Sequence, residues 1–366
     1  RKGDDMRISI LGAGHAGTAV AADLSLRGHE VTLIKTSHAM HNKNFNYLIN
    51  NNGAVCLIEE GKTRMAHIAH VTRDLSCISG TEIIIVYIQT NYHEQLIKRI
   101  KPYLRDGQIL LLNPGYLSTA YVLKHCGDIK LTIVEAQSSF IDCRISEPGT
   151  VNITFRNKRN PLGIYPASHR EECEKKLNKL GFPFVYLPSV IDAALHNPNL
   201  IVHTIGGIMS IPRVEKTNGE YYMYREVFTP SVWNILEGLD NEKMDVMEKL
   251  GCKRVPYAEA CKFRNTVDDA LDAKEVFFWY ANLPNPLKGP TRVDSRYITE
   301  DVPEGLVLLE SLGSEYDVKT PICSSLIDIA SAALGRDFRL EGRTVERLGR
   351  DNLDRIFQET GVGVYA

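Results

Sequence analysis

The sequence predicts an α/β fold of Rossmann type, a doubly wound parallel sheet, followed by an all-α domain. Three observations carry that prediction. Short β-branched runs alternate with helical stretches through residue 188, a GxGxxG element sits between the first run and the first helix, and beyond Pro188 the apolar spacing is mostly helical. A length of 366 residues accommodates two or three domains of ordinary size.

Taken in order, Arg7–Leu11 (RISIL) reads as the first strand, and a helix follows from about His15 to Arg27, stopped by Gly28. Glu30–Ile34 (EVTLI) is the second strand. Further strands are expected at Ile83–Ile88, Gln108–Leu112 and Leu131–Glu135, with helices at Tyr92–Leu104 and Leu117–His125 between them. Such alternation implies parallel strands joined by helical crossovers. The stretch His41–Arg64 is less regular and reads as an insertion with short extra strands. Val151–Phe155, Pro161–Tyr165 and Phe184–Leu187 are expected to extend the sheet, with a charged helix at Ser168–Leu180 covering it.

The pattern changes near Pro188. Helices are expected at Val190–Met209, Thr229–Leu250, Tyr257–Cys261, Ala273–Trp279, Pro303–Tyr316 and Ile322–Leu334. Thr229–Pro230 has the form of a helix start, with Thr as N-cap and Pro in the first turn. Two domains are therefore expected, residues 1–188 for a dinucleotide and residues 189–366 for substrate and catalysis.

Composition narrows the function class. The 43 basic and 45 acidic side chains leave a net charge of −2, with 43% hydrophobic and 24% charged residues. That balance excludes intrinsic disorder and collagen-like repeats, and it argues against a nucleic-acid partner, which would need a clustered basic surface. None of the eight cysteines forms a CxxC pair, so neither a zinc site nor a redox pair is written here; reduced, mostly buried thiols and no metal are expected. Arg1–Met6 is short and polar, so no signal peptide is expected, and apolar runs such as Ile83–Ile88 fall far short of the roughly 20 residues a membrane span needs. A cytoplasmic protein handling a small molecule is the expectation.

Ile10-Leu11-Gly12-Ala13-Gly14-His15-Ala16-Gly17 ends the first strand and opens the first helix, which is the context a dinucleotide loop requires. Gly12 allows the tight turn, Gly14 lets the backbone approach a pyrophosphate, and Gly17 lets helix and sheet pack closely. His15 and Ala16 lie where the helix N-terminus offers free N–H groups to phosphate. The second strand runs into Lys35-Thr36-Ser37 with no acidic residue for a ribose 2′-OH. Lys35 and the Thr36 and Ser37 hydroxyls would instead suit a 2′-phosphate, so NADP is favoured over NAD. Asn113-Pro114-Gly115 follows a strand at the sheet's carboxyl edge; Asn113 and Gly115 are secondary candidates near the nicotinamide half, or part of a plain turn.

In the second half, His203 lies in an otherwise apolar stretch and is followed by Gly206 and Gly207. A lone histidine of this kind is more often structural than catalytic. Arg296 precedes Asp301 just ahead of a helix, and Asp301 read alone is as readily a cap or a surface group.

Four ordered segments resemble the opine dehydrogenase family of octopine/nopaline type. They are the GAGHAG loop, Asn199–Glu215 (NLIVHTIGGIMSIPRVE), Thr229–Gly251 beginning TPSVWNILEGLD, and Arg296–Leu306 (RYITEDVPEGL) with the later Leu334–Gly349 (LGRDFRLEGRTVERLG). The resemblance implies His203 as catalytic histidine, Asp301 as its carboxylate partner and Arg296 as the group holding the substrate carboxylate. It implies NAD(P)H-dependent reduction of the imine formed between a 2-oxo acid and an amino acid's amine. It departs in two places: Thr204-Ile205 follows the histidine where many relatives have Pro-Gly, and Ala136 follows Glu135 where relatives tend to have Thr, with Ser138 or Ser139 as substitutes.

Two rivals share this layout. A ketopantoate or 2-hydroxy-acid reductase would use a lysine on the helix entering the second domain, and residues 190–210 contain none. A catalytically silent NADP-binding sensor would keep the glycines without needing the histidine, arginine and aspartate. The long apolar helices suit either a homodimer interface or a monomer core.

Overall fold

The computed structural model describes residues 3–284 and 288–359, which form two compact units divided between Val190 and Ile191. The first unit is built on an eight-stranded sheet. From edge to edge its strands are Phe184–Tyr186, Asn160–Tyr165, Thr132–Ala136, Ile109–Leu112, Ile83–Val86, Arg7–Leu11, Glu30–Ile34 and His70–Thr72. Ile83–Val86 and Ile109–Leu112 are buried at every residue, which is why they read as unbroken apolar runs rather than alternating ones. Arg7–Leu11 pairs in parallel with Glu30–Ile34 on one side and Ile83–Val86 on the other. The chain thus reverses its winding direction at the first strand, and a crevice for ligand opens at such a strand's carboxyl end. Asn160–Tyr165 joins antiparallel to Thr132–Ala136.

Val151–Phe155 does not extend this sheet. It lies within Thr150–Arg156, in a separate four-stranded sheet ordered Lys62–His67, Ala54–Glu59, Thr150–Arg156, Ile141–Glu147. Thr150–Arg156 pairs antiparallel with Ile141–Glu147 across the turn at Pro148-Gly149, where Gly149 takes φ +80°, and parallel with Ala54–Glu59. A turn that tight commits the strand to its hairpin neighbour before it can reach the larger sheet. The expected insertion therefore supplies half of a second sheet, after a helix at Asn42–Asn50.

This second sheet packs on the first helix, His15–Leu26, which also contacts the large sheet. The helix is covered on both sides, so Gly17 through Leu24 are all buried. Small residues (GTAVAAD) make that possible. Asp23 is the one charge among them, and it pairs with Arg27 at 3.2 Å and with Arg156 of the second sheet at 2.9 Å. Burial alone would raise its pKa, yet bonds to Arg156 and Arg27 hold the carboxyl below its usual range.

The second unit is helical among the described residues. Asn199–Met209, Pro230–Lys249 and Pro321–Leu334 pack against one another at its centre. The expected single helix Val190–Met209 is two helices, Val190–Leu195 and Asn199–Met209. Pro198 explains the break: it has no N–H for the helical ladder, and its ring disfavours the helical conformation at the preceding residue. Thr229 stands at the N-cap position in extended conformation with Pro230 after it, but its hydroxyl makes no capping bond. The expected helix Pro303–Tyr316 opens with a π turn, Val302–Leu306, before Val307–Glu315. All eight cysteines are free, and no helix among the described residues is long and apolar enough to cross a membrane.

Candidate active site

The glycine loop begins where the first strand ends. Gly12 takes φ +112°, and a Cβ there would lie 2.2 Å from the Tyr87 carbonyl oxygen. A Cβ on Gly17 would lie 1.8 Å from the Gly12 carbonyl oxygen, so only glycine allows the helix to start this close to the strand. A Cβ on Gly14 would meet nothing nearer than the His41 ring at 3.5 Å. The loop is therefore open at Gly14 and closed at the other two glycines, the shape a pyrophosphate cradle needs. His15 accepts a hydrogen bond at Nδ1 from the Ile145 backbone N–H at 2.9 Å and packs edge-on against His41. Its ring is thereby tied to the second sheet, and Ala16 opens the helix beside it.

At the end of the second strand, Lys35 is buried and its ammonium group donates to the Met40 carbonyl. Burial, with the nearby Arg73 charge, pushes its pKa down. Ser37 is exposed and Thr36 partly so. Two cations that sequence reasoning missed reach the same loop. Arg73 donates to the Ser37 carbonyl at 2.8 Å and lies over the Phe45 ring, and Arg99 donates to the Thr36 carbonyl at 3.2 Å. Arg73 directly follows His70–Thr72, a strand of three residues, too short to stand out from sequence alone. On the neighbouring strand ends, Asn113 donates from Nδ2 to the Tyr87 hydroxyl at 2.9 Å, and Gly115 packs against the buried Glu135 carboxylate.

In the second unit, His203 and Asp301 come together. His203 Nδ1 lies 2.9 Å from Asp301 Oδ2, with both side chains largely withdrawn from solvent. Nδ1–H donates to the carboxylate, so Nε2 is left to exchange a proton, and among the described residues Nε2 has no hydrogen-bond partner. The Tyr297 ring stacks on the imidazole at 3.8 Å and 7°. Sequence reasoning missed Tyr297, although it stands next to Arg296.

The two glycines after His203 now have a reason. A Cβ on Gly207 would lie 3.2 Å from Ile298 and 3.4 Å from Tyr297, while one on Gly206 would lie 2.6 Å from the Met223 sulfur. Glycine at Gly207 lets the turn Arg296–Thr299 lie close on the His203 helix, which brings Tyr297 and Asp301 to the imidazole. Arg296 itself is exposed and, among the described residues, makes no ion pair. Behind Asp301, Glu304 pairs with the fully buried Arg343 at 3.0 Å, and the Arg343 backbone N–H donates to the Pro303 carbonyl at 2.9 Å. Burial raises the Glu304 pKa against the opposing pull of Arg343. The later segment Leu334–Gly349 thus locks the turn that carries Asp301.

Comparison with known proteins follows the division of the chain. Residues 186–334 match the family model for the NAD/NADP octopine/nopaline dehydrogenase α-helical domain, and residues 8–165 match that for ketopantoate reductase PanE/ApbA. Over the whole chain the sequence is 28% identical to an opine dehydrogenase of Arthrobacter sp. (strain 1C), covering 94% of this chain and 95% of that protein. Among solved structures it is similar to octopine dehydrogenase with NADH and L-arginine, with a TM-score of 0.74 and 17% identity over 97% of this chain and 98% of that one. It is also similar to yersinopine dehydrogenase with NADP+ bound, with a TM-score of 0.70 and 17% identity over 98% and 99% of the two chains.

Proposed function

We propose that the chain is an opine dehydrogenase, which joins a 2-oxo acid to the amino group of an amino acid by reducing their imine, and runs the reverse reaction. The observation that carries the reading is the His203–Asp301 pair at 2.9 Å, held in a buried setting by residues distant in sequence. A reduced nicotinamide supplies the hydride when bound. The rest of the work falls to side chains of the chain itself.

Arg296 presents its planar guanidinium to the oxo acid's carboxylate, and a bidentate grip of that kind fixes the neighbouring carbonyl carbon. His203 Nε2 donates a proton to the departing carbonyl oxygen during condensation and takes one from the amine nitrogen. Asp301 holds the imidazole in one tautomer at Nδ1 and stabilises the imidazolium while it carries that proton. Tyr297, stacked on the ring, restricts its rotation.

The residues of the glycine loop fit an NAD(P) cofactor, because the open position at Gly14 is where a Cβ would otherwise obstruct the pyrophosphate. For the adenosine half the reading is NADP. No carboxylate stands at the end of Glu30–Ile34, and Arg73 and Arg99 both bond the backbone of the Thr36-Ser37 loop. Lys35, bonded inward to Met40, contributes positive potential from behind; Arg73 and the Thr36 and Ser37 hydroxyls are the better placed to bond a 2′-phosphate. Residues 1–188 serve as the dinucleotide domain and residues 189–366 as the substrate and catalytic domain.

Replacing His203 by Ala tests the assignment. The expected result is loss of NADPH consumption by about 10²-fold or more, with NADPH affinity nearly unchanged in a fluorescence titration. A variant that keeps most of its kcat would refute the role of His203.

A further inference from the structure

Glu135 is fully buried at the end of the strand Thr132–Ala136, yet it serves none of the steps above. Its carboxylate faces the loop that leaves the neighbouring strand. Oε1 accepts from the Leu117 backbone N–H at 3.0 Å, and Oε2 accepts from the Thr119 hydroxyl at 2.6 Å and the Thr119 backbone N–H at 3.3 Å. At the first of those donors and the residue before it, the chain does something costly. Tyr116 and Leu117 both take left-handed backbone angles, φ +45° and +63°, and both side chains are fully buried. Each non-glycine residue held there costs on the order of 1–2 kcal/mol, and such conformations persist only where the surroundings enforce them.

The loop carries a further oddity. Asn113 donates from Nδ2 to the Tyr87 hydroxyl, which leaves its Oδ1 buried with no hydrogen-bond partner among the described residues. An unpartnered buried acceptor is uncommon in a folded protein and calls for a ligand, a water or a function. Asn113 stands at the carboxyl end of Ile109–Leu112, and its backbone N–H is bonded to the Val86 carbonyl of the adjacent strand at 3.1 Å.

We propose that Glu135 is a positioning residue: it holds the left-handed turn Tyr116–Leu117 so that Asn113 Oδ1 is fixed as a hydrogen-bond acceptor for the carboxamide N–H of the nicotinamide. The proposal rests on the reading that this strand end serves the nicotinamide half of the dinucleotide. A carboxylate is needed because donors approach both of its oxygens. A glutamine can offer one acceptor only, so whichever way its amide turns, a backbone N–H of Leu117 or Thr119 faces an NH₂ group. Gly115 belongs to the same device, since a Cβ there would lie 2.2 Å from Glu135 Oε1 and push the carboxylate off its donors.

Two variants test it from opposite sides, Glu135→Gln and Gly115→Ala. Each is titrated with NADPH and with 2′-phospho-ADP-ribose, the same dinucleotide without its nicotinamide, and assayed for kcat at saturating cofactor. Loss of one fixed hydrogen bond predicts NADPH affinity down by about tenfold and kcat down at least as much. Binding of the truncated dinucleotide should stay within about twofold of the parent, far less than one lost hydrogen bond would cost. A residue that merely caps the helix at Thr119–Cys126 would lower the melting temperature and leave both numbers alone; unchanged NADPH affinity and kcat in folded variants would overturn the proposal. If the truncated dinucleotide weakens as much as NADPH, the strand end does not serve the nicotinamide half, and the reading beneath the proposal falls. Should Glu135→Gln fail to fold, Gly115→Ala alone decides between these results.

Discussion

The ring of His203 is fixed from two directions, by the Asp301 carboxylate at Nδ1 and by the stacked face of Tyr297. Asn in place of Asp301 keeps an acceptor for Nδ1–H but removes the charge that stabilises an imidazolium. Asp301→Asn should therefore lower kcat by about 10²-fold or more while the KM for NADPH holds steady; equal activity would mean that the pair is only structural. At the other end of the chemistry, Arg73 is the cation to remove. Arg73→Ala should weaken NADPH by about 10–100-fold, the worth of a charge-assisted bond to phosphate, and leave NADH nearly untouched. Equal loss of both cofactors in steady-state kinetics would refute a 2′-phosphate role. Lys35→Asp, which the sequence singles out, should harm both cofactors and the fold, because its ammonium group is already committed to the Met40 carbonyl.

The element that most depends on one residue is the first helix. His15–Leu26 lies between two sheets, and its single buried carboxylate, Asp23, is bonded to Arg156 and Arg27. Removing Arg156 takes away the nearest of its cationic partners and leaves Arg27 at 3.2 Å and Arg64 at 3.8 Å, so only part of the cost of a buried charge returns. Arg156→Ala should therefore lower the melting temperature measurably at neutral pH. Since the Asp23 pKa is lowered in the folded state, its stabilisation is present above the unfolded value of about 3.9 and is lost as pH falls through the folded one. The parent should lose stability below about pH 4, and the Asp23→Asn variant should show a shallower loss there. A melting profile identical for both across that range would contradict the assignment.

Elements were legible in proportion to how fully they are buried. Ile83–Val86 and Ile109–Leu112 fall within the strands the sequence predicts, because continuous apolar runs mark strands covered on both faces. Ile141–Glu147, with its polar alternation, passed unread, and Thr150–Arg156 was assigned to the wrong sheet because pairing partners are set by the Gly149 turn rather than by the strand's own composition. The break at Pro198 was written in the sequence; the apolar spacing on either side concealed it. At the site, the glycine loop was legible from spacing alone, whereas the pairing of His203 with Asp301 came from family resemblance. No local pattern joins residues 98 positions apart. Tyr297 and Arg73 went unnoticed for the same reason, since each acts on a residue that only the folded chain brings near; Glu135 is marked in the sequence only by the residue that follows it.

For the molecule as a whole, near-zero net charge and a site for anionic ligands are compatible because charge is placed locally. In the proposed function, phosphate binding falls to backbone N–H groups and Arg73 in one unit, and carboxylate binding to Arg296 in the other. In the proposed reaction the chain condenses two substrates before reducing them. The direct measurement is NADPH consumption with a panel of 2-oxo acids and amino acids, each alone and in pairs. Turnover is expected only when an oxo acid and an amino acid are both present, with a secondary-amine dicarboxylate as product by mass spectrometry. Turnover on an oxo acid alone, with a 2-hydroxy acid as product, would contradict it and make the chain a hydroxy-acid reductase.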